Sequence, residues 1–229
     1  MKKNIIIGIV IVVIVGLLFV ATLFIPEKKE KIKEELLGIN YNIDGHTTEL
    51  KYESSNPVAA LYIKNYGSIV IELYPDMAPN TVNNFISLID SGFYDNNTFH
   101  RLVPGFVLQG GDPTGSGTGG PGYNIKGEFT NNGHENTLKH EEGIVSMARS
   151  EGNDTGGSQF FIVLDDASHL DGNYAAFGKV IDGMQLIKKI EKKERVSDSN
   201  TGTLVKNLVL EKALVDLNGN ELKAVIKEK

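Results

Sequence analysis

Residues 99–112 read FHRLVPGFVLQGGD. One cation, Arg101, stands among Phe99, Leu102, Val103 and Phe106, and a Pro104-Gly105 step divides the stretch before Val107, Gln109 and two glycines. A guanidinium does not shed its proton in apolar surroundings, so Arg101 must meet a carbonyl, a carboxylate or a ligand. Residues 157–161, GSQFF, match the first stretch in kind, with small residues, one amide and two aromatics. Together the two predict an apolar pocket with Arg101, Gln109 and Gln159 at its wall, which suits a reaction without proton transfer. On these stretches alone, the alternatives are a structural Arg101 paired with a neighbouring acid, and Phe106, Phe160 and Phe161 as plain core.

Around them the pattern is β-rich. Residues 60–64 (ALYIK) and 68–73 (SIVIEL) read as strands joined at Asn65-Tyr66-Gly67. Pro79 opens a helix that runs to about Ser91, with Val82, Phe85, Ile86 and Ile89 on one face, and Gly92 stops it. Residues 143–148 (GIVSMA), 158–164 (SQFFIVL) and 175–180 (AAFGKV) read as strands. A second amphipathic helix follows over 184–194, with Leu186, Ile187 and Ile190 inward. Then come a polar loop over 197–202, a last strand over 204–214 and a charged, peripheral tail over 216–229. Twenty-five glycines against seven prolines agree with the tight turns of an antiparallel β protein.

The start of the chain is of another kind. Residues 5–25 are 21 uncharged residues behind Lys2 and Lys3. As a helix they span about 30 Å, the thickness of a bilayer core. The run is longer than a signal-peptide core and no A-x-A site ends it. We read it as an uncleaved membrane anchor with the rest of the chain outside the cytoplasm; a signal peptide removed after export is the alternative. Residues 26–35 form a charged spacer, and Asp44-Gly45 marks a hairpin within 42–51. The organisation is therefore anchor over 1–25, linker with hairpin over 26–57, main domain over 58–215 and tail over 216–229.

Several chemistries are disfavoured. A net charge of −6 does not favour a nucleic-acid partner, and the absence of cysteine removes disulfides, thiol catalysis and thiolate metal sites. His46, His134 and His140 read as solvated residues, and no histidine pair has metal-ligand spacing, so no metal and no cofactor is expected. His100 and His169 fall near the predicted pocket. No G-x-S-x-G elbow accompanies Ser146 or Ser158, which counts against a hydrolase. Residues 115–120 fit G-x-G-x-x-G, but Pro121-Gly122 follow where a phosphate-binding helix would begin.

In order and spacing, FHRLVPGFVLQGGD, GTGG, GIVSMA, GSQFFI, HLDG and FGKV resemble the cyclophilin family of peptidyl-prolyl cis–trans isomerases, over about residues 58–214. The short Gly-rich loop is similar to that of the microbial single-domain branch. The resemblance implies a mainly β fold, a closed eight-stranded antiparallel barrel capped by two α-helices, with the site on its outer face. It implies that Arg101 is catalytic, that Phe106, Val107, Phe161 and Leu170 line a proline pocket, and that Gln109 binds substrate backbone. Ala148 and Arg149 match a segment that pairs with the residues before proline, with Gln159 beside it, and His100 matches a rim histidine. His169 stands where many members have Trp, Tyr174 where many have His, and Val107 where many have Met. These departures bear on inhibitor affinity and substrate preference. The expected partners are proline-containing polypeptides and, through the first helix, a membrane; the chain is read as a monomer. The alternative is a catalytically weak proline-peptide-binding chaperone module at the membrane surface.

Overall fold

The computed structural model describes residues 42–43, 46–47, 54–198 and 201–228. The expected anchor and charged spacer lie outside the described residues.

β1 (Asn42–Ile43) and β2 (His46–Thr47) pair antiparallel, Asn42 with Thr47 and Ile43 with His46, as the Asp44-Gly45 signal predicts. The main domain then runs β3 (Val58–Ile63), β4 (Gly67–Leu73), α1 (Pro79–Asp90), β5 (Asn97–Val103), β6 (Val107–Asp112), β7 (Ile144–Met147), β8 (Phe160–Val163), β9 (Ala176–Asp182), α2 (Met184–Lys193), β10 (Val196–Asp198) and β11 (Thr203–Asp216). Eight strands follow the order β11-β3-β4-β9-β7-β8-β6-β5, and β5 pairs back onto β11, so the antiparallel sheet closes into a barrel. β10 pairs only with β11. This corrects the reading of 197–202 as a plain polar loop: its first residues form a short hairpin with the last strand.

The barrel is filled, not hollow. Phe85, Tyr94, Phe99, Phe160 and Phe177 are buried in one cluster, with Phe85 and Phe160 edge to face at 5.3 Å and Tyr94 and Phe160 at 5.7 Å. An eight-stranded barrel is just wide enough for side chains to fill. Such aromatic pairs add about 0.5–1.5 kcal/mol each beyond their buried area. α1 supplies Phe85 together with Val82, Ile86 and Ile89, all buried, which is the face its spacing predicts. It ends where Gly92, at φ +73°, turns its N–H back to Ile89 O. α2 packs Leu186, Ile187 and Ile190 inward.

Two long-range devices are absent from any local pattern. Ala78, the residue before α1, has no side chain to cap the helix. The buried Glu128 does so instead: Oε1 accepts Asn80 N–H at 3.0 Å, and Oε2 accepts Thr81 N–H and the Thr81 hydroxyl at 2.7 Å each. Its charge also faces the positive end of the helix dipole. The tail, expected to be peripheral, is a strap held to α1. Asn80 exchanges hydrogen bonds with the Ile226 backbone, Nδ2 donating to its carbonyl at 2.9 Å and Oδ1 accepting its N–H at 2.8 Å. Asn83 Oδ1 accepts Lys223 N–H at 3.1 Å, and Glu228 N–H reaches Asn124 O at 2.8 Å. Leu217, Leu222 and Val225 pack partly buried on the core.

Glu128→Ala should therefore lower stability by about 0.5–2 kcal/mol, the range for losing a helix cap. Urea unfolding measures this, with Glu128→Gln falling between the two; an unchanged midpoint in Glu128→Ala would sink the capping account.

Candidate active site

Strand alternation sorts each wall residue to one side of the sheet. On β8, Phe160 and Ile162 join the interior cluster, while Phe161 and Val163 belong to a second, outer one. Leu108 of β6 and Val145 of β7 face in, whereas Val107 and Ile144 belong outside. The outer cluster also holds Ala167, Leu170 and Ala176, with partly buried Phe106, Ala148 and Tyr174 against it. It brings together the apolar residues Phe106, Val107, Phe161 and Leu170 that the sequence reading assigned to a proline pocket.

Arg101 reaches that face through an irregularity. Phe99 pairs with Gly110 and Arg101 with Gln109, so His100 has no partner of its own. Strict alternation would turn Arg101 inward with Phe99; a bulge re-aims the side chain. Leu102, next along, is fully buried in the interior cluster. From Arg101 a single row then crosses the sheet: Arg101 opposite Gln109, Gln109 opposite Phe161, Phe161 opposite Ser146, Ser146 opposite Ala176. The row puts a cation and an amide beside a buried ring.

The guanidinium is tied at both ends. Its Nε–H donates to Thr201 O at 2.7 Å, and Nη1 donates to Gln109 Oε1 at 3.2 Å. Among the described residues nothing takes the Nη2 donors, which stay available to a ligand. Thr201 comes close because Gly202 lies against β5, its carbonyl accepting Leu102 N–H at 2.7 Å. At φ +73°, a Cβ on Gly202 would stand 2.6 Å from Val103 Cγ2, so only glycine fits. Burial lowers the Arg101 pKa, and Tyr174 opposes this; an arginine so placed still stays protonated.

From Gln109 the chain of hydrogen bonds continues. Its Nε2 donates to Gln159 Oε1 at 3.0 Å, and Gln159 Nε2 donates to the carbonyls of Gly117 at 3.0 Å and Gly119 at 2.9 Å. That loop is wrapped round Asp112, whose carboxylate accepts the N–H groups of Thr114, Gly117 and Gly119 and the Thr114 hydroxyl. A Cβ on Gly119 would fall 2.1 Å from Asp112 Oδ1, so the close approach also demands glycine. The G-x-G-x-x-G match is thus explained by a carboxylate inside the chain rather than by a phosphate.

The pocket rim places the other predicted residues. Phe106 stacks on His169 at 5.4 Å, and Phe161 meets Tyr174 edge to face at 5.6 Å. Beyond Met147 the β7 strand leaves the ladder, with Ala148 N–H still donating to Gln159 O at 2.9 Å. Arg149 turns its guanidinium away, onto the Tyr174 and Phe129 rings at 4.8 and 5.3 Å, with Nε–H on Asn173 O. His100 is buried behind Gly117 rather than open at the rim, and neither ring nitrogen has a hydrogen-bond partner among the described residues. Burial lowers its pKa, with Asp112 opposing and Arg101 assisting, so it is neutral near pH 7.

The floor was not legible in the sequence. His140, expected in solvent, is 1% exposed and lies parallel to Phe161 at 6.1 Å. Its Nδ1–H donates to Asp171 Oδ1 at 3.0 Å and its Nε2 accepts the Ser146 hydroxyl at 3.0 Å. Burial lowers the His140 pKa and Asp171 opposes this. The order Ser–His–Asp is that of a nucleophile set, but Ser146 is fully buried beneath Phe161 and no substrate reaches it. The set is a polar prop under the pocket. His134, likewise expected in solvent, is half-buried and donates from Nε2 to Met77 O at 2.9 Å.

Known proteins resemble the chain over the barrel domain. The family described as cyclophilin type peptidyl-prolyl cis-trans isomerase/CLD matches residues 59–215. Peptidyl-prolyl cis-trans isomerase B of Bacillus subtilis is 52% identical over 128 residues, 56% of this chain and 86% of its own length. A peptidyl-prolyl cis-trans isomerase of Helicobacter pylori is 46% identical over 148 residues, 63% of this chain and 88% of its own. Among solved structures, a cyclophilin-type isomerase of Cryptosporidium parvum, crystallised in the presence of the dipeptide Ala-Pro, superposes with a TM-score of 0.62 at 34% identity, covering 69% of this chain and 98% of its own.

The loop under Gln159 has a pH signature. Burial alone would raise the Asp112 carboxyl, but its hydrogen bonds from Thr114, Gly119 and Gly117 outweigh that and bring it down to about 2. A folded pKa below the unfolded one stabilises above the unfolded value and is lost as pH falls through the folded value. Wild type should therefore lose stability relative to Asp112→Asn as pH drops from about 5 to about 2. Urea midpoints of the two proteins across that range check this; parallel curves would contradict it.

Proposed function

The chain belongs to the family of cyclophilin-type peptidyl-prolyl cis–trans isomerases, and on that premise we propose that Arg101 and the outer apolar cluster form the centre at which it turns X–Pro bonds. The two-sided tether of Arg101 beside a buried apolar cluster carries this reading.

Amide resonance sets a barrier of roughly 18–20 kcal/mol, while the two isomers differ by only about 0.5–1 kcal/mol, so the obstacle is kinetic. Twisting the bond breaks the resonance: the nitrogen becomes a better acceptor and charge on the carbonyl shifts. The Nη2 donors of Arg101 hydrogen-bond that twisted form better than the planar one, which is binding in favour of the transition state. Phe106, Val107, Phe161 and Leu170 hold the proline ring, with His169 and Tyr174 closing the rim. Gln109, Gln159 and the chain at Ala148 and Arg149 hold the peptide on the other side. The tether lets the guanidinium act without reorganising as the amide turns. No bond forms or breaks, so the sealed Ser146 has no part in the reaction.

For the chain as a whole, the reading is an isomerase held at the outer membrane surface by residues 5–25, acting on polypeptides that fold after export. The uncharged 21-residue run supports the anchor, being long enough to cross a bilayer core as a helix; lysines flank both of its ends, Lys2 and Lys3 before it and Lys28, Lys29, Lys31 and Lys33 after it. Slow X–Pro isomerisation limits folding in such a setting. Protease added to intact cells should remove the domain while a cytoplasmic control survives; a protected domain beside a cut outer-face control would refute the placement.

Arg101→Ala should raise the barrier by about 2.7–4 kcal/mol, by analogy with the loss of one oxyanion-hole donor. The assay is cis-to-trans conversion of a short X–Pro peptide, with the fold checked by circular dichroism. The wild-type rate should stay flat between about pH 6 and pH 8, since arginine does not titrate there. An active Arg101→Ala, or a rate that titrates in that range, would move catalysis away from Arg101.

A further inference from the structure

α2 buries Leu186, Ile187 and Ile190 in the barrel core and turns its other side outward. Gln185, Lys188, Lys189, Lys192 and Lys193 recur at helical spacing on that side. All are exposed, and together they line a shallow groove of ≈ 570 Å³. Residues 184–195 hold five basic side chains against two acidic ones, in a chain whose net charge is −6. The helix dipole accounts for Lys192 and Lys193, which lie in the last turn. It does not account for Lys188 and Lys189, which lie a turn earlier.

The acids around this face are engaged. Glu191 Oε1 accepts the Gly105 N–H at 2.6 Å, and Glu194 accepts the Tyr66 hydroxyl. Glu142 pairs with Lys188 at 2.8 Å, and Asp165 acts on the same ammonium from farther off. Lys193 sits over the Tyr66 ring, its Nζ 5.0 Å from the centroid. Lys189 and Lys192 have neither an ion pair nor a side-chain hydrogen bond among the described residues. The apolar side of α2 is already spent on the core, so this face offers charge alone. It suits an anionic surface, not an apolar groove or a bilayer interior.

The chain itself brings such a surface near. Residues 5–25 are read above as a membrane anchor, and residues 26–57 lead from it to β3. Even fully extended, that linker keeps the domain within a distance on the order of 100 Å from the bilayer. An attraction too weak to recruit a free protein is then enough, because the encounter is intramolecular. We propose that the lysine face of α2 docks the domain on anionic lipid headgroups. The proposal rests on the anchor reading and goes beyond it: the domain is oriented, not merely tethered. Through Glu191 and Gly105, α2 is joined to the turn that precedes Phe106, so docking holds the proline site close to the membrane surface.

The chain has no cysteine, so a single Gln185→Cys takes one fluorophore in the lysine groove of the full-length protein. The labelled chain is reconstituted in vesicles of phosphatidylcholine alone, or of equal parts phosphatidylcholine and phosphatidylglycerol, each with a headgroup spin label as quencher. Quenching should be strong in the anionic vesicles, weak in the neutral ones, and lost at high salt. Lys189→Gln and Lys192→Gln should each lower the docking equilibrium by up to about fivefold, the worth of one lysine near an anionic surface. The urea midpoint and the rate on a short X–Pro peptide should stay as in wild type. Equal quenching in both vesicles, or no response to the lysine variants, would overturn the docking alone. So would protection of the fluorophore by soluble poly-glutamate with no effect of lipid charge, which would assign the face to an acidic polypeptide. A chain that floats with neither vesicle would overturn the anchor, and the docking with it.

Discussion

The pairing of β5 with β11 is the contact on which the rest depends. It closes the sheet, so that each of the eight barrel strands has a neighbour on both sides, and within this sheet, among the described residues, β10 is left at an edge against β11. Closure forces the inward-facing aromatics into one filled core, which leaves no room for a ligand inside. The only surface where the wall can do chemistry is the outer one, and there the same pairing sets Arg101 against Thr203 and under the Thr201 carbonyl. Closing the barrel and aiming the cation are one event.

From that point the site is a line of hydrogen bonds rather than a cluster of independent groups. It runs from the Thr201 carbonyl through Arg101, Gln109 and Gln159 to the carbonyls of a loop that Asp112 holds. A donor fixed in this way costs no reorganisation when the charge on the substrate shifts, which is where electrostatic catalysis gains its strength. The apolar half is supported differently. Phe161 rests on a buried polar prop, His140 between Ser146 and Asp171, in which each hydrogen-bonding group on the ring finds a partner. Burial turns what looks in outline like a nucleophile set into a support.

Periodicity made much of the fold legible. The spacing of Val82, Phe85, Ile86 and Ile89 gave the buried face of α1, and that of Leu186, Ile187 and Ile190 gave α2, because a helix buries residues that recur at its own period. Strand alternation and glycine turns gave the main strands. β10 escaped because Ser197 and Asp198 are exposed, so no alternation marks them. The strap escaped because its attachment is side chain to backbone: Asn80 and Asn83 reach residues about 140 positions on, and a polar tail reads locally as solvated. His140 was misread for a similar reason, its partner Asp171 lying 31 residues away.

What the sequence by itself determined was the set of parts: one arginine in an apolar run, two glutamines, the aromatics and the glycines, in an order that carries the family resemblance. What only the tertiary structure decided was their direction. The unpaired His100 shifts the register so that Arg101 faces out while Phe99 and Leu102 face in, and no local pattern announces it. Gly202, from the other end of the chain, then supplies the close approach that fixes the guanidinium. A bulge and a long-range contact depend on which strands meet, and strand pairing is settled by the whole barrel rather than by neighbours in the chain.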